Sequence, residues 1–131
     1  MEIKRNEATA NRPQGDRVID APYVFIDLPA FIDQITKEKA WEKNDRNGIT
    51  VFKANNITMV ITALQEGAKI DDNSVDAFLT LQVLGGKTRI TSPDGDIEMY
   101  KNQVISFHPG VRHSVEALSD IILLLTTVNT G

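Results

Sequence analysis

Short segments in which apolar and polar residues alternate fill the chain beyond residue 48, and they predict β-strands. The turn signals between them are short, notably Asn55-Asn56, Gly85-Gly86 and Ser92-Pro-Asp-Gly95. Eight strands are expected, at residues 49–53, 57–65, 78–84, 87–91, 97–100, 104–107, 113–117 and 121–128. So many short strands at such spacing indicate an all-β sandwich or barrel.

The first third of the chain follows a different pattern. Residues 1 to about 20 are polar and nearly balanced in charge, which is typical of an irregular or disordered arm. The alternative is a β-arm that docks on a partner subunit. We therefore predict a flexible arm over 1–20 and one domain over 21–131.

One strand candidate and one helix precede the β-rich region. Residues 23–27 alternate as a short strand does, and a helix is predicted from Leu28 to about Lys43. Pro29 suits its first turn, where a missing N–H costs nothing. Trp41 is expected to anchor the end of this helix against the domain.

Composition narrows the function more than the fold. The 131 residues include no cysteine, which excludes a disulfide scaffold, a thiolate metal site and a cysteine nucleophile, and fits a reducing compartment such as the cytoplasm. The net charge is −4 and no basic stripe is present, so nucleic-acid binding is not expected. No apolar run is long enough for a signal peptide or a membrane span.

The two histidines of the chain lie on either side of the Pro109-Gly110 turn. His113 opens a strand in which it shares a face with Val115 and Ala117, so its ring is expected to point inward. His108 precedes a proline and is therefore restricted to extended backbone. Its interpretation is open between shaping the turn and reaching the same interior as His113.

The stretch from Asn102 to His113 resembles a motif of the cupin superfamily, of the form G-x5-P-x-G-x2-H. Asn102 stands at the first glycine, His108 at the proline, Gly110 at the second glycine and His113 at the histidine. Residues 81–87 are similar to the end of the family's first motif, and the likeness covers about residues 28–128. It implies an all-β, cupin-type double-stranded β-helix (a jelly-roll barrel) with one N-terminal flanking helix.

The resemblance also bears on metal binding. Metal-binding cupins supply two histidines and a glutamate from the first motif, but residues 66–79 here contain no histidine. Leu79 falls where the glutamate belongs, and Asn73 falls where small cupins have a single histidine. A transition-metal site needs about three protein ligands. We therefore predict no metal, no cofactor and no catalytic residue, and we name His113, His108, Asn73 and Asp72 as candidate ligand-binding residues.

Three functions stay open. The first is a non-enzymatic cupin that binds a small organic ligand or only assembles. The second is a metal-dependent enzyme of dioxygenase or isomerase type that uses His113. The third is a ligand-sensing module that acts through a partner. Because jelly-roll edge strands must be covered, a homodimer is expected, with the arm as a candidate extra strand across the interface.

Overall fold

A computed structural model describes residues 1–130. Eleven strands and two helices lie among them, in the order β1 (Lys4–Asn6), β2 (Arg17–Asp20), α1 (Leu28–Ile35), α2 (Lys39–Lys43), β3 (Arg46–Lys53), β4 (Ile57–Leu64), β5 (Lys69–Asn73), β6 (Phe78–Gly85), β7 (Thr88–Ser92), β8 (Gly95–Met99), β9 (Val104–Phe107), β10 (His113–Ala117) and β11 (Ile121–Val128). The predicted all-β architecture is confirmed.

Two antiparallel sheets face each other and form the barrel. One has the strand order β5-β10-β7-β8, and the other has the order β3-β4-β11-β6-β9. Their facing side chains make one core, whose largest fully buried members are Leu64, Leu81, Val83, Ile90, Ile121 and Leu123. Residues that alternate along each strand place one apolar row on this core.

The five-stranded sheet is buried on both faces, unlike the four-stranded one. Its outer face packs on α1 and α2 through a second core that contains Ile35, Ile49 and Ile61. Trp41 contributes to this core from α2, as the sequence predicts for it. Two-sided burial explains why β11 is nearly continuous in apolar residues, since both faces of the strand need them.

The predicted single helix is interrupted, and α1 and α2 take its place. Asp27 caps α1 by accepting a hydrogen bond from the Ala30 N–H at 3.3 Å. The helix ends at Thr36, whose hydroxyl donates to the Ile32 carbonyl at 2.7 Å. Glu38 then adopts extended backbone before α2 begins. Its carboxylate accepts hydrogen bonds from Arg12 at 3.0 and 3.1 Å.

The expectation of an irregular segment over residues 1–20 is wrong for β1 and β2, which pair as an antiparallel two-stranded sheet. Two arginines join this region to β3, the edge strand of the larger sheet. Arg12 donates to the Gly48 carbonyl at 2.6 Å, and Arg17 donates to the Thr50 carbonyl at 2.8 Å. The division into a flexible arm and a single domain stays a prediction.

Two further local predictions are corrected. Residues 23–27 form no strand, because no other strand among the described residues pairs with them. Conversely, β5 was not among the predicted strands. The carboxylates of Asp71 and Asp72 are exposed, and the backbone pairs with β10 at the edge of its sheet. A polar edge strand gives no apolar alternation to detect.

None of the helices within residues 1–130 has both the length and the apolar content of a membrane-crossing helix.

Candidate functional site

His113 enters the barrel at the first position of β10, directly after the Pro109-Gly110 turn. Its side chain is only 4% exposed, which confirms the inward direction predicted from strand parity. The Phe107 ring, at the end of β9, stacks on the imidazole with ring centroids 4.4 Å apart and planes within 15°. The two rings thus close one end of the apolar core.

The two nitrogens of the His113 ring have different environments. Nδ1 lies 3.2 Å from the Val111 carbonyl oxygen, which can only accept, so this contact assigns the proton of the neutral ring to Nδ1. Nε2 has no hydrogen-bond partner among the described residues. Every described side-chain nitrogen or oxygen that is fully buried does have one, so Nε2 must touch solvent. A free acceptor therefore lies at the mouth of an otherwise apolar interior.

Two residues with positive φ shape the turns on either side of β9, and the second of these turns carries His113. Gly110 has a φ of 79°, and its N–H donates to the Val75 carbonyl at 2.8 Å. Asn102 has a φ of 72°, the left-handed region that asparagine tolerates better than most residues. The asparagine thus adopts the left-handed conformation that glycine takes at no steric cost.

Of the four candidate ligand-binding residues, the structure brings His113 and Asn73 together. Asn73, half-buried at the end of β5, is the cross-strand partner of His113. His108 is exposed and lies against the Phe78 ring, with centroids 5.1 Å apart. The Asp72 carboxylate is also exposed, 3.0 Å from Arg112. His108 and Asp72 are therefore exposed, whereas His113 is buried.

The residues around His113 do not fit a metal ion of the kind that cupins hold. Leu79, at the position of the family's glutamate, is buried in the apolar core and pairs with Phe107 across β6 and β9. Within residues 1–130, no three His, Cys, Asp or Glu side chains come close enough together to share an ion. One imidazole is far short of the three or four ligands that zinc takes.

A second polar cluster lies outside the barrel, around Glu38. Its carboxylate accepts hydrogen bonds from Arg12 at 3.0 and 3.1 Å and from the Asn47 amide at 3.0 Å. Burial raises the pKa of Glu38, but hydrogen bonds from Arg12, Asn47 and Gln34 outweigh it and hold that pKa below its ordinary value. The cluster fixes the N-terminal arm to α1, α2 and β3.

Two surface cavities of about 800 and about 510 Å³ border the N-terminal region, and His113 lines neither. The larger lies between residues 10–14 and the two helices, beside Lys37 and Lys43. The smaller lies beside β2 and residues 21–25.

Sequence reasoning did not single out Phe107 or the Arg12–Glu38 pair. Phe107 was within reach, because Ile105 and Phe107 share one face of β9 and that face points inward. The Arg12–Glu38 contact spans 26 residues, and no periodic pattern links its two members.

No protein-family profile matches the chain, and no curated protein matches it. Solved structures do. A cupin superfamily protein from Desulfitobacterium hafniense DCB-2 matches with a TM-score of 0.64 and 14% identity, over 66% of this chain and 80% of the other. An RmlC-like cupin from Shewanella frigidimarina NCIMB 400 matches with a TM-score of 0.62 and 13% identity, over 66% and 78%.

A third similar structure, from Thermotoga maritima, is described as a predicted oxalate decarboxylase. It has a TM-score of 0.62 and 16% identity, and the match covers 67% of this chain and 84% of the other. At such identities the likeness concerns the fold, which hosts unrelated activities.

Proposed function

We propose that this chain, which has the cupin fold, is a non-enzymatic binding protein that holds a small neutral organic molecule against Nε2 of His113. The observation that carries the proposal is the free imidazole acceptor in an apolar setting. A neutral hydroxyl or amide N–H of a ligand would donate to it. The Phe107 stack and the Val111 contact hold the ring in one orientation and tautomer.

The surroundings of the ring favour a neutral ligand over a charged one. The Phe107 ring stacks on the imidazole, Val115 and Ala117 are buried on the same face of β10, and Asn73 lies opposite on β5. A charged ligand would lose its hydration without an opposite charge to replace it. The nearest arginine, Arg112, is exposed and already paired with Asp72.

The test observes the imidazole directly. The chain has only two histidines, so nitrogen-detected NMR of protein labelled at histidine gives two pairs of ring signals, one Nδ1 and one Nε2 signal from each histidine. We expect neutral alcohols and amides from a metabolite panel to shift the Nε2 signal of His113 while that of His108 stays unchanged. A bound ligand should also raise the melting temperature in a concentration-dependent way.

Two matched variants make the test specific. His113→Phe keeps an aromatic ring beside Phe107 but removes the acceptor, so it should fold and lose ligand binding. His108→Phe replaces the exposed histidine and should still bind the ligand. A metal held in near-stoichiometric amount by the wild type and lost in His113→Ala would contradict the proposal in favour of a metal-dependent enzyme.

A further inference from the structure

The segment of residues 21–26, which joins β2 to α1, has the side-chain pattern of a strand without being part of a sheet. Tyr23 and Phe25 are 88% and 87% exposed, whereas Val24 and Ile26 are half-buried and Ile26 packs on the second core. Side chains that alternate between two faces are the signature of a β-strand. This is why the sequence predicts a strand at residues 23–27.

The backbone of this segment, like its aromatic side chains, makes few contacts with the rest of the chain. Among the described residues, no backbone hydrogen bond joins residues 21–26 to any other part of the chain. A segment with unpaired N–H and C=O groups is a template on which another strand can pair. The segment therefore has backbone groups with which a strand of another chain could pair.

A groove lies beside the exposed rings. Its volume is about 510 Å³, its lining includes Ile3, Phe31 and Val51, and Arg17 is the only charged residue in that lining. One surface thus presents both projecting aromatic rings and an apolar depression. An interface between two identical chains around a two-fold axis requires such a surface, because each copy must offer what the other receives.

We propose that a second copy of this chain covers the segment, by antiparallel pairing of residues 22–26 in the two copies around a two-fold axis at Val24. In that register Tyr23 of each copy lies opposite Phe25 of the other on the outer face. Aromatic cross-strand pairs of this kind stabilise sheets. The inference concerns assembly and is independent of the ligand site at His113.

Area and charge both favour a second copy as the occupant. Phe and Tyr bury roughly 150–250 Å² each, so the two exposed rings supply about 300–500 Å² of the ~800 Å² that a stable interface takes from each partner. The half-exposed Ile3 beside them adds to this surface. The segment carries no charge in a chain of net charge −4, so two copies meet there without like-charge repulsion.

The first measurement needs no variant. Sedimentation of the full chain at micromolar concentration should show a dimer, and amide hydrogen exchange should show residues 22–26 protected at high concentration and unprotected on dilution. A wild type that remains monomeric overturns the proposal and leaves the segment to a strand of a different protein. A dimer whose residues 22–26 exchange freely also overturns it.

The second measurement uses matched double variants. Tyr23→Ser with Phe25→Ser should raise the dimer dissociation constant by about tenfold or more, since buried aromatic residues dominate most interfaces. The control is Ile97→Ser with Val104→Ser, which removes two apolar side chains, 51% and 52% exposed, from β8 and β9. Its dissociation constant should stay that of the wild type. Equal effects of the two double variants overturn the assigned surface.

Discussion

Replacing Arg12 by alanine should destabilise the protein far more than a surface arginine usually does. The guanidinium forms a fork with both oxygens of Glu38, at 3.0 and 3.1 Å, and donates to the Gly48 carbonyl at 2.6 Å. Its side chain is 23% exposed and that of Glu38 is 10% exposed. The substitution leaves a largely buried carboxylate and an edge carbonyl without their charged donor.

The stability that Arg12→Ala loses lies between two limits. An exposed ion pair contributes about 0–1 kcal/mol, and breaking a fully buried one costs about 3–5 kcal/mol. Because water still reaches Arg12 in part, we expect Arg12→Ala to lower the free energy of unfolding by about 2–3 kcal/mol. For a domain of this size the melting temperature then falls by roughly 6–15 °C.

The assay is urea unfolding at neutral pH, with Arg5→Ala as the matched control. Arg5 lies in the same N-terminal region and pairs with Asp16 at 2.7 Å, but both side chains are 54% exposed. Arg5→Ala should change the free energy of unfolding by no more than the error of the measurement. If Arg12→Ala loses no more stability than Arg5→Ala does, the Glu38 cluster does not anchor the N-terminal region and the argument fails.

Three further outcomes are expected. Burial raises the pKa of Glu38, but hydrogen bonds from Arg12 and two amides outweigh it and lower that pKa, so the ionised carboxylate stabilises the fold at neutral pH. This stabilisation is lost as the pH falls below 4.5. Urea titrations should therefore show the stability difference between wild type and Glu38→Gln disappearing below that pH. Gly67→Ala should lower the free energy of unfolding by about 1–2 kcal/mol, because alanine is strained at the positive φ of this position. Gly86→Ala should lower it by at least about 1 kcal/mol more, because the added Cβ also meets the backbone of the β10–β11 turn. Thermal unfolding measures both. Asn102→Gly should stay within about 0.5 kcal/mol of wild type, since relief of the left-handed conformation offsets added chain entropy, while Asn102→Val should lose about 1–2 kcal/mol in the same assay.

The strands that could be predicted best are those with one face in the core. The bounds of β9, β10 and β11 coincide with the predicted residues 104–107, 113–117 and 121–128, since apolar alternation and turn residues agree at both ends. The sequence did not predict β5, because its exposed edge position permits three consecutive polar residues at 71–73. Residues 23–27 show the opposite case, in which the pattern is present but a pairing strand is not.

The direction of His113 could be predicted because strand parity alone determines it. Strand parity cannot determine where His108 and Asp72 point, since both lie at irregular positions: His108 follows the end of β9, and Asp72 has a φ of 46°. Their exposure depends on how the turn and the edge strand fold. The helix is interrupted at Glu38, whose carboxylate contacts Arg12, and no local pattern links two residues so distant in sequence.

The guanidinium groups of Arg12 and Arg17, which bind the carbonyls of Gly48 and Thr50, block the β3 edge of the larger sheet. They occupy two acceptors that an intruding strand would need, and they do so with side chains that cannot themselves extend the ladder. Loss of these two side chains would leave both acceptors open to pairing with another strand. Protection of this sheet edge thus comes from a stretch whose composition alone is typical of a tail.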